Sequence, residues 1–345
     1  MVGQLLIDAD AHVTEPADVW TSRVQKKYVD MVPHVVRNAE GKDVWLLDGT
    51  LIKTVGVTAP AGWPTYPADF PATFEQLHPG SYDAEERLKY LDSAGIFAQV
   101  LYPNVAGFGA QRFLTLPDEE LKLECVRAYN DFLYEEWVSK SPERLIAIPS
   151  LPFWDVDASV AEIKRCADLG FRGILFTGEP QRFGLPFFGN SHWDPLYSIA
   201  QEAGLPIHFH IGGGEDTIAA EAIAARNADH GKAGSETYFA VDLFMKNGVQ
   251  CVDLLGSGVL QRYPDLKFVS VESGVGWIPF ALEAADYVYL GASKGASRIR
   301  GEDLLPSELF RRQVYGTYWF EKIAPVVLDG LLPDRKSTRL NSSHT

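Results

Sequence analysis

Three stretches of the chain set carboxylates and imidazoles where they could act on one substrate. The first is Asp8-Ala-Asp10-Ala-His12, in which a period of two puts Asp8, Asp10 and His12 on one face of a strand. A carboxylate and an imidazole two residues apart at a strand end can both reach a single divalent cation. Alone, the motif is also an ordinary way for a strand to end in charge. The second stretch, Pro206-Ile-His-Phe-His210-Ile-Gly-Gly-Gly214, carries His208 and His210 on one face and is followed by glycines that leave room above them. A ligand lies nearest the mouth of its site, so His210 is the candidate and His208 reads as a hydrogen-bonded core histidine. The third, Lys267-Phe-Val-Ser-Val-Glu272-Ser-Gly-Val-Gly-Trp-Ile-Pro279, closes an apolar strand with a carboxylate before a glycine-rich turn. A buried carboxylate needs a cation or hydrogen-bond donors, and capping the next helix would satisfy it equally. Jointly the three fit metal-assisted catalysis, in which a cation polarises substrate or activates water and a neighbouring carboxylate, here Glu272, moves the proton.

Such residues need a scaffold that gathers strand ends. Apolar, β-rich runs at 5–10, 97–102, 145–151, 173–176, 206–211, 268–272 and, more weakly, 314–320 alternate with stretches of helical periodicity. That alternation predicts βαβ units around a parallel sheet. Leu121, Val126, Tyr129, Phe132, Leu133 and Trp137 form one helical stripe and residues 161–169 another, with Gly170 and Gly204 placed as C-terminal caps. The expected class is α/β, a (β/α)8 TIM barrel whose active site lies at the C-terminal strand ends. Seven strands are visible, so the eighth is expected to be missing from this sequence. Residues 1–333 read as one domain, with an insertion over about 21–82 in which Val35–Arg37 and Val44–Leu47 flank a turn at Glu40-Gly41 as a hairpin. Trp63, Tyr66 and Phe70 lie in a Pro- and aromatic-rich loop expected to cap the barrel mouth. Residues 334–345 turn abruptly polar and basic and match the in-frame translation of a sequencing-library adaptor, so they are read as foreign to the fold, His344 included.

A formal charge of −15 with no run of Lys or Arg argues against a nucleic-acid or anionic-membrane partner and for a small-molecule substrate. The N-terminus carries no export signal, and a cytoplasmic location is expected. Cys125, Cys166 and Cys251 are widely spaced in apolar surroundings and read as core thiols. His192-Trp193-Asp194-Pro195 reads as a substrate-loop or packing motif, while His34, His78 and His230 read as solvated or capping residues. Gly212–Gly214 lacks the spacing of a phosphate or dinucleotide loop.

At these same residues the chain resembles the amidohydrolase superfamily, in particular its branch of decarboxylases acting on aminocarboxymuconate semialdehyde and γ-resorcylate. Asp10-Ala-His12 is similar to the family's opening metal motif, His210 to its fifth-strand histidine, and Gly256 to Trp277 to the stretch leading through the sixth-strand turn. The resemblance implies one divalent metal, zinc or manganese, held by Asp10, His12, His210 and an eighth-strand aspartate that has no counterpart here; it also implies a homodimer. The decarboxylases carry a catalytic histidine where this chain has Glu272. The leading expectation is therefore a metal-dependent hydrolase of a small organic acid, amide, ester or lactone. The alternative is a non-oxidative, metal-dependent decarboxylase of an aromatic or unsaturated carboxylate. A metal-free glycosidase using Asp10 and Glu272 ranks lower, because it gives the histidines no role. Without the last strand, the fragment itself is expected to be inactive, its barrel seam open.

Overall fold

The structure, a computed structural model, describes residues 5–66, 69–212, 220–293, 304–318 and 320–322. Gly213, Gly214 and the segment 334–345 lie outside the described residues. The chain forms two compact units, one up to Ile174 and one from Leu175.

The first unit is built on three parallel strands in the order β1-β5-β6. β1 is Leu6–His12, β2 His34–Arg37, β3 Asp43–Leu47, β4 Thr50–Thr54, α1 Ala84–Ala94, β5 Ile96–Tyr102, α2 Glu119–Phe132, β6 Leu145–Ala147 and α3 Val156–Asp168. Local chemistry sets the helix boundaries. Asp83, Asp118 and Asp155 each accept backbone N–H groups at an N-cap, and Gly95 takes the left-handed conformation that ends α1. The expected stripe along α2 is buried in full, and it runs on through a π-helical turn at Leu133–Val138. The insertion holds the expected hairpin, β2 paired to β3, and adds a third strand, β4. It is anchored by Trp45, whose ring meets that of buried Trp20 edge-on at 5.8 Å, while Trp20 stacks on Tyr129 at 6.2 Å. Tyr28, Val32, Leu47 and Val55 of the insertion are buried in the same core, so aromatic and aliphatic burial together hold it.

A second parallel sheet contains four strands in the order β10-β9-β8-β7. Here β7 is Ile174–Leu175, α4 Asp194–Glu202, β8 Ile207–His210, α5 Ala220–Gly256, α6 Val259–Arg262, β9 Phe268–Val271, α7 Ile278–Ser293, α8 Pro306–Gln313 and β10 Val314–Gly316. β8 pairs β9 in parallel with His210 opposite Val271, and β10 continues the parallel pairing. α5 breaks at Gly231, whose φ of 72° and ψ of 164° leave the helical region. Gly170 and Gly204 follow α3 and α4 with positive φ, as their C-cap placement required. The strands of the two parallel sheets fall within or beside the seven runs expected from the sequence, and no described helix is long and apolar enough to cross a membrane.

Candidate functional site

The end of β1 delivers the first pair of candidate residues. Asp10 is 1% exposed, and its Oδ1 lies 3.6 Å from Nε2 of half-buried His12. A register shift against β5 between Asp8 and Ala11 interrupts the strict alternation expected there, so that Asp10 and Ala11 are both buried. Asp8 shares the burial but turns its carboxylate elsewhere: Oδ1 accepts the Asp10 N–H and Oδ2 the Gln99 amide at 2.9 Å. Gln99 in turn accepts from Arg87 at 2.9 Å, and Arg87 also donates to the His12 carbonyl at 2.9 Å and to the Gly80 carbonyl. A buried carboxylate is thus matched to a buried guanidinium through one amide. The His12 ring is held by its other nitrogen, Nδ1, 3.3 Å from the Pro103 carbonyl, and by the Phe108 ring at 5.4 Å.

The second pair stands where β8 and β9 end. His210 is buried; its Nδ1 lies 2.9 Å from the Ile211 carbonyl and its Nε2 3.2 Å from Glu272 Oε2. Glu272 occupies the left-handed region at φ 60°, a conformation that costs a non-glycine residue on the order of 1–3 kcal/mol and that clusters at functional sites. The Thr317 hydroxyl accepts the Glu272 N–H at 2.9 Å, and Glu321 accepts those of Val275 and Gly276, so the turn after β9 is pinned from the end of β10.

The two pairs share one logic. A carbonyl only accepts, so Nδ1 must carry the proton in both histidines, and in the neutral ring Nε2 then offers a lone pair toward a carboxylate oxygen. Two electron-rich atoms facing one another at such separations call for something positive between them, either a proton or a metal cation. Imidazoles fixed through one nitrogen to a carbonyl, with the other turned to a carboxylate, are the donor arrangement of metal sites. Both pairs fit a divalent cation.

Residues 7–296 match the amidohydrolase family. The chain belongs to that family. Among curated relatives, γ-resorcylate decarboxylase from a Rhizobium species is 32% identical over 135 residues, which cover 36% of this chain and 38% of the relative. The γ-resorcylate decarboxylase of a Polaromonas species is 26% identical over 243 residues, 69% of this chain and 67% of the relative. The matched region thus spans well under half of the Rhizobium enzyme. Among solved structures, an amidohydrolase from Mycobacterium avium subsp. paratuberculosis superposes with a TM-score of 0.72 at 19% identity, over 96% of this chain and 87% of that one. A dihydroxybenzoic acid decarboxylase from Polaromonas, solved with manganese and 2-nitroresorcinol bound, gives 0.59 at 17% identity, over 98% and 86%. These likenesses establish the α/β fold of the amidohydrolases, the TIM-barrel class expected from the strand pattern. The curated relatives are decarboxylases, which favours the second of the two readings of the sequence over the hydrolase one.

The remaining candidates sort by burial. His208 is buried and uncharged: burial and the adjacent His210 push its pKa down to about 3. Within His192-Trp193-Asp194-Pro195, Trp193 is packed on Phe176 at 5.1 Å and Asp194 pairs with Arg262, while His192 is exposed. His78 caps a turn by accepting the Gly80 N–H, His34 sits against the Val32 carbonyl, and His230 is exposed. The three cysteines are buried thiols. Trp63 donates to Asp69 and Tyr66 packs on Phe70 within their own loop. The sequence reading missed Arg87, Gln99, Glu15, Asn104, Thr317 and Glu321. One signal was available: Glu15 is a carboxylate three residues beyond a strand-end histidine. Arg87 and Gln99 lie within an ordinary helix and an ordinary strand and carry no such mark.

Proposed function

We propose that the chain is a metal-dependent decarboxylase of a hydroxylated aromatic carboxylate, with Asp10, His12 and His210 as metal ligands and Glu272 as the proton-transfer group or a further ligand. The observation that carries the metal reading is the matched orientation of His12 and His210, each anchored through Nδ1 with Nε2 turned to a carboxylate. Imidazoles and carboxylates are side chains of the kinds that a divalent ion takes as ligands. Manganese is the first ion to supply, since two of the similar solved decarboxylases hold it.

When bound, such a cation would neutralise a substrate carboxylate and polarise the oxygen beside it. The other parts of the reaction fall to the chain's own groups. The two imidazoles hold position because each ring is fixed at its second nitrogen. Glu272 sits 3.2 Å from His210, part-exposed, where it can carry one proton to the ring carbon that loses carbon dioxide. The pinned turn around Glu272 keeps that carboxylate in one place. A hydrolase of a small ester, amide or lactone is the second reading. It is favoured by Glu272 itself, which stands where the resemblance to the decarboxylases calls for a histidine and which suits a base that takes a proton from water.

The discriminating experiment loads the chain with manganese and follows carbon dioxide release from 2,6-dihydroxybenzoate and related hydroxybenzoates, beside a panel of esters and lactones. Release by the wild type, retained or raised in Glu272→His and lost in His12→Ala and His210→Ala, is the result this proposal requires, and it would also refute the expectation that this stretch of chain is inactive by itself. Hydrolysis without carbon dioxide release, abolished by Glu272→His, would establish the hydrolase reading instead.

A further inference from the structure

We infer that Glu15 is a positioning residue for His12, acting through the segment that follows β5. This inference rests on the reading of His12 as a metal ligand. Glu15 lies three residues past His12 and is fully buried. Its Oε1 accepts two consecutive backbone N–H groups, from Asn104 at 2.9 Å and Val105 at 3.0 Å. Asn104 binds in the opposite direction, its side-chain amide donating to the Val13 carbonyl at 2.8 Å. The Val13 N–H reaches the Tyr102 carbonyl at 3.1 Å, and Lys53 Nζ donates to the Asn104 carbonyl at 3.0 Å. Residues 102 to 105 are therefore laced to residues 13 to 15 on both sides of Pro103.

Pro103 has no N–H, so its carbonyl is its only hydrogen-bonding backbone group, and that carbonyl faces His12 Nδ1. Whatever fixes the 103–105 backbone fixes the acceptor that selects the His12 tautomer and aims Nε2 at Asp10. A partner of this kind, one bond removed from a ligand, is typically worth about 10–100-fold in metal affinity. The burial of a carboxylate here is costly, and desolvation holds the Glu15 carboxyl above its ordinary range. A smaller apolar residue would spare that cost but could not accept the two N–H groups. The same device recurs at the other pair, where Glu321 accepts the consecutive N–H groups of Val275 and Gly276 in the turn that carries Glu272.

The test titrates the full chain with manganese(II) alone, reading free ion by its electron paramagnetic resonance signal. It compares wild type, Glu15→Gln, Glu15→Asp, Glu15→Ala and His12→Ala, with circular dichroism to establish folding. Nitrogen-15 spectra of the histidine rings report the His12 tautomer in the same samples. Glu15→Ala and Glu15→Asp should bind manganese about 10–100-fold more weakly and lose the single Nδ1-protonated form of His12. Glutamine keeps an oxygen for both N–H groups, so Glu15→Gln should stay within about threefold of wild type. Should the alanine variant fail to fold, the aspartate variant carries the comparison, since it retains the charge and withdraws only the reach. The inference is overturned by a folded Glu15→Ala or Glu15→Asp with wild-type affinity and an unchanged His12 tautomer, or by a Glu15→Gln as impaired as alanine. If His12→Ala binds manganese as well as wild type, the ligand reading fails, and the tautomer spectra alone then judge Glu15.

Discussion

Replacing Arg87 with methionine tests whether the end of β1 is held by a buried charge network. The guanidinium is 8% exposed, lies 5.3 Å from the Trp137 ring centroid, and donates to the Gly80 carbonyl, to Gln99 and to the His12 carbonyl. Burial pulls its pKa down to about 10, with the Asp8 carboxylate opposing that pull. Methionine preserves most of the volume and the contact with Trp137, so the loss is chiefly electrostatic. Three acceptors, the Gly80 carbonyl, Gln99 Oε1 and the His12 carbonyl, each lose a donor worth about 1–3 kcal/mol, and fully buried Asp8 loses its compensating cation. These terms overlap, and a buried charge stripped of its partner costs about 3–5 kcal/mol in total. Urea unfolding of wild type, Arg87→Met, Asp8→Asn and the double variant would measure both the loss and its coupling. The double variant should recover at least about 1 kcal/mol relative to Arg87→Met, because the orphaned carboxylate is gone. A loss below about 1 kcal/mol in Arg87→Met, or strictly additive variants, would refute the network. Arg87→Lys should also be destabilising, since a point-like ammonium cannot serve three acceptors spread around a planar fork.

Three further outcomes follow from single positions. The Glu15 carboxyl is held above the ordinary glutamate value of 4.5, with desolvation as the largest cause and the N–H groups of Val105 and Asn104 and the charge of Lys53 opposing it. The folded state therefore retains the Glu15 proton to higher pH than the unfolded chain. Its stabilising effect is complete below pH 4.5 and is lost as pH rises through the folded pKa, so the stability of wild type minus that of Glu15→Gln should shrink between urea titrations at pH 4 and pH 8; a gap that widens contradicts the assignment. Gly56→Ala would drive a methyl into the Pro71 backbone, which has no rotamer with which to yield, and should cost about 1–3 kcal/mol by thermal or urea unfolding; a neutral effect would mean that the 55–58 turn is not seated as described. Glu272→Gly relieves the left-handed backbone and should raise stability by about 1 kcal/mol while abolishing turnover, a divergence that calorimetry beside the carbon dioxide assay would expose or deny.

Much of this protein could be read from local pattern. Apolar runs with β-rich composition, separated by helical stripes and ended by Gly170 and Gly204, were enough to place the strands of the parallel sheets and the helical stripes at 121–137 and 161–169, because those signals depend on each residue's neighbours along the chain. The hairpin at 35–47 was visible for the same reason, whereas β4 was not: Thr50-Leu-Ile-Lys-Thr is short and mixed, and it becomes a strand by pairing with β3. The pairs Asp10–His12 and His210–Glu272 were legible because chemistry-bearing side chains stood at strand ends, where a parallel sheet gathers them. The orientation of those side chains was not legible. It is set by carbonyls at Pro103 and Ile211, groups that every residue possesses and that no residue type advertises.

The sequence by itself determined the fold class and the strands of the parallel sheets, and it put forward Asp10, His12, His210 and Glu272 as the groups for the proposed metal chemistry, since each follows from composition and spacing. Only the tertiary structure decided that Asp8 is neutralised through Gln99 by Arg87, that Glu272 sits in a strained turn pinned by Glu321, and that Glu15 laces residues 102–105 to the end of β1. Those links join residues as far as 91 positions apart through single hydrogen bonds whose partners could be almost any acceptor. Periodicity carries no trace of such a choice; it is made when burial removes water and each polar group must find its partner among whatever the packed chain has brought near.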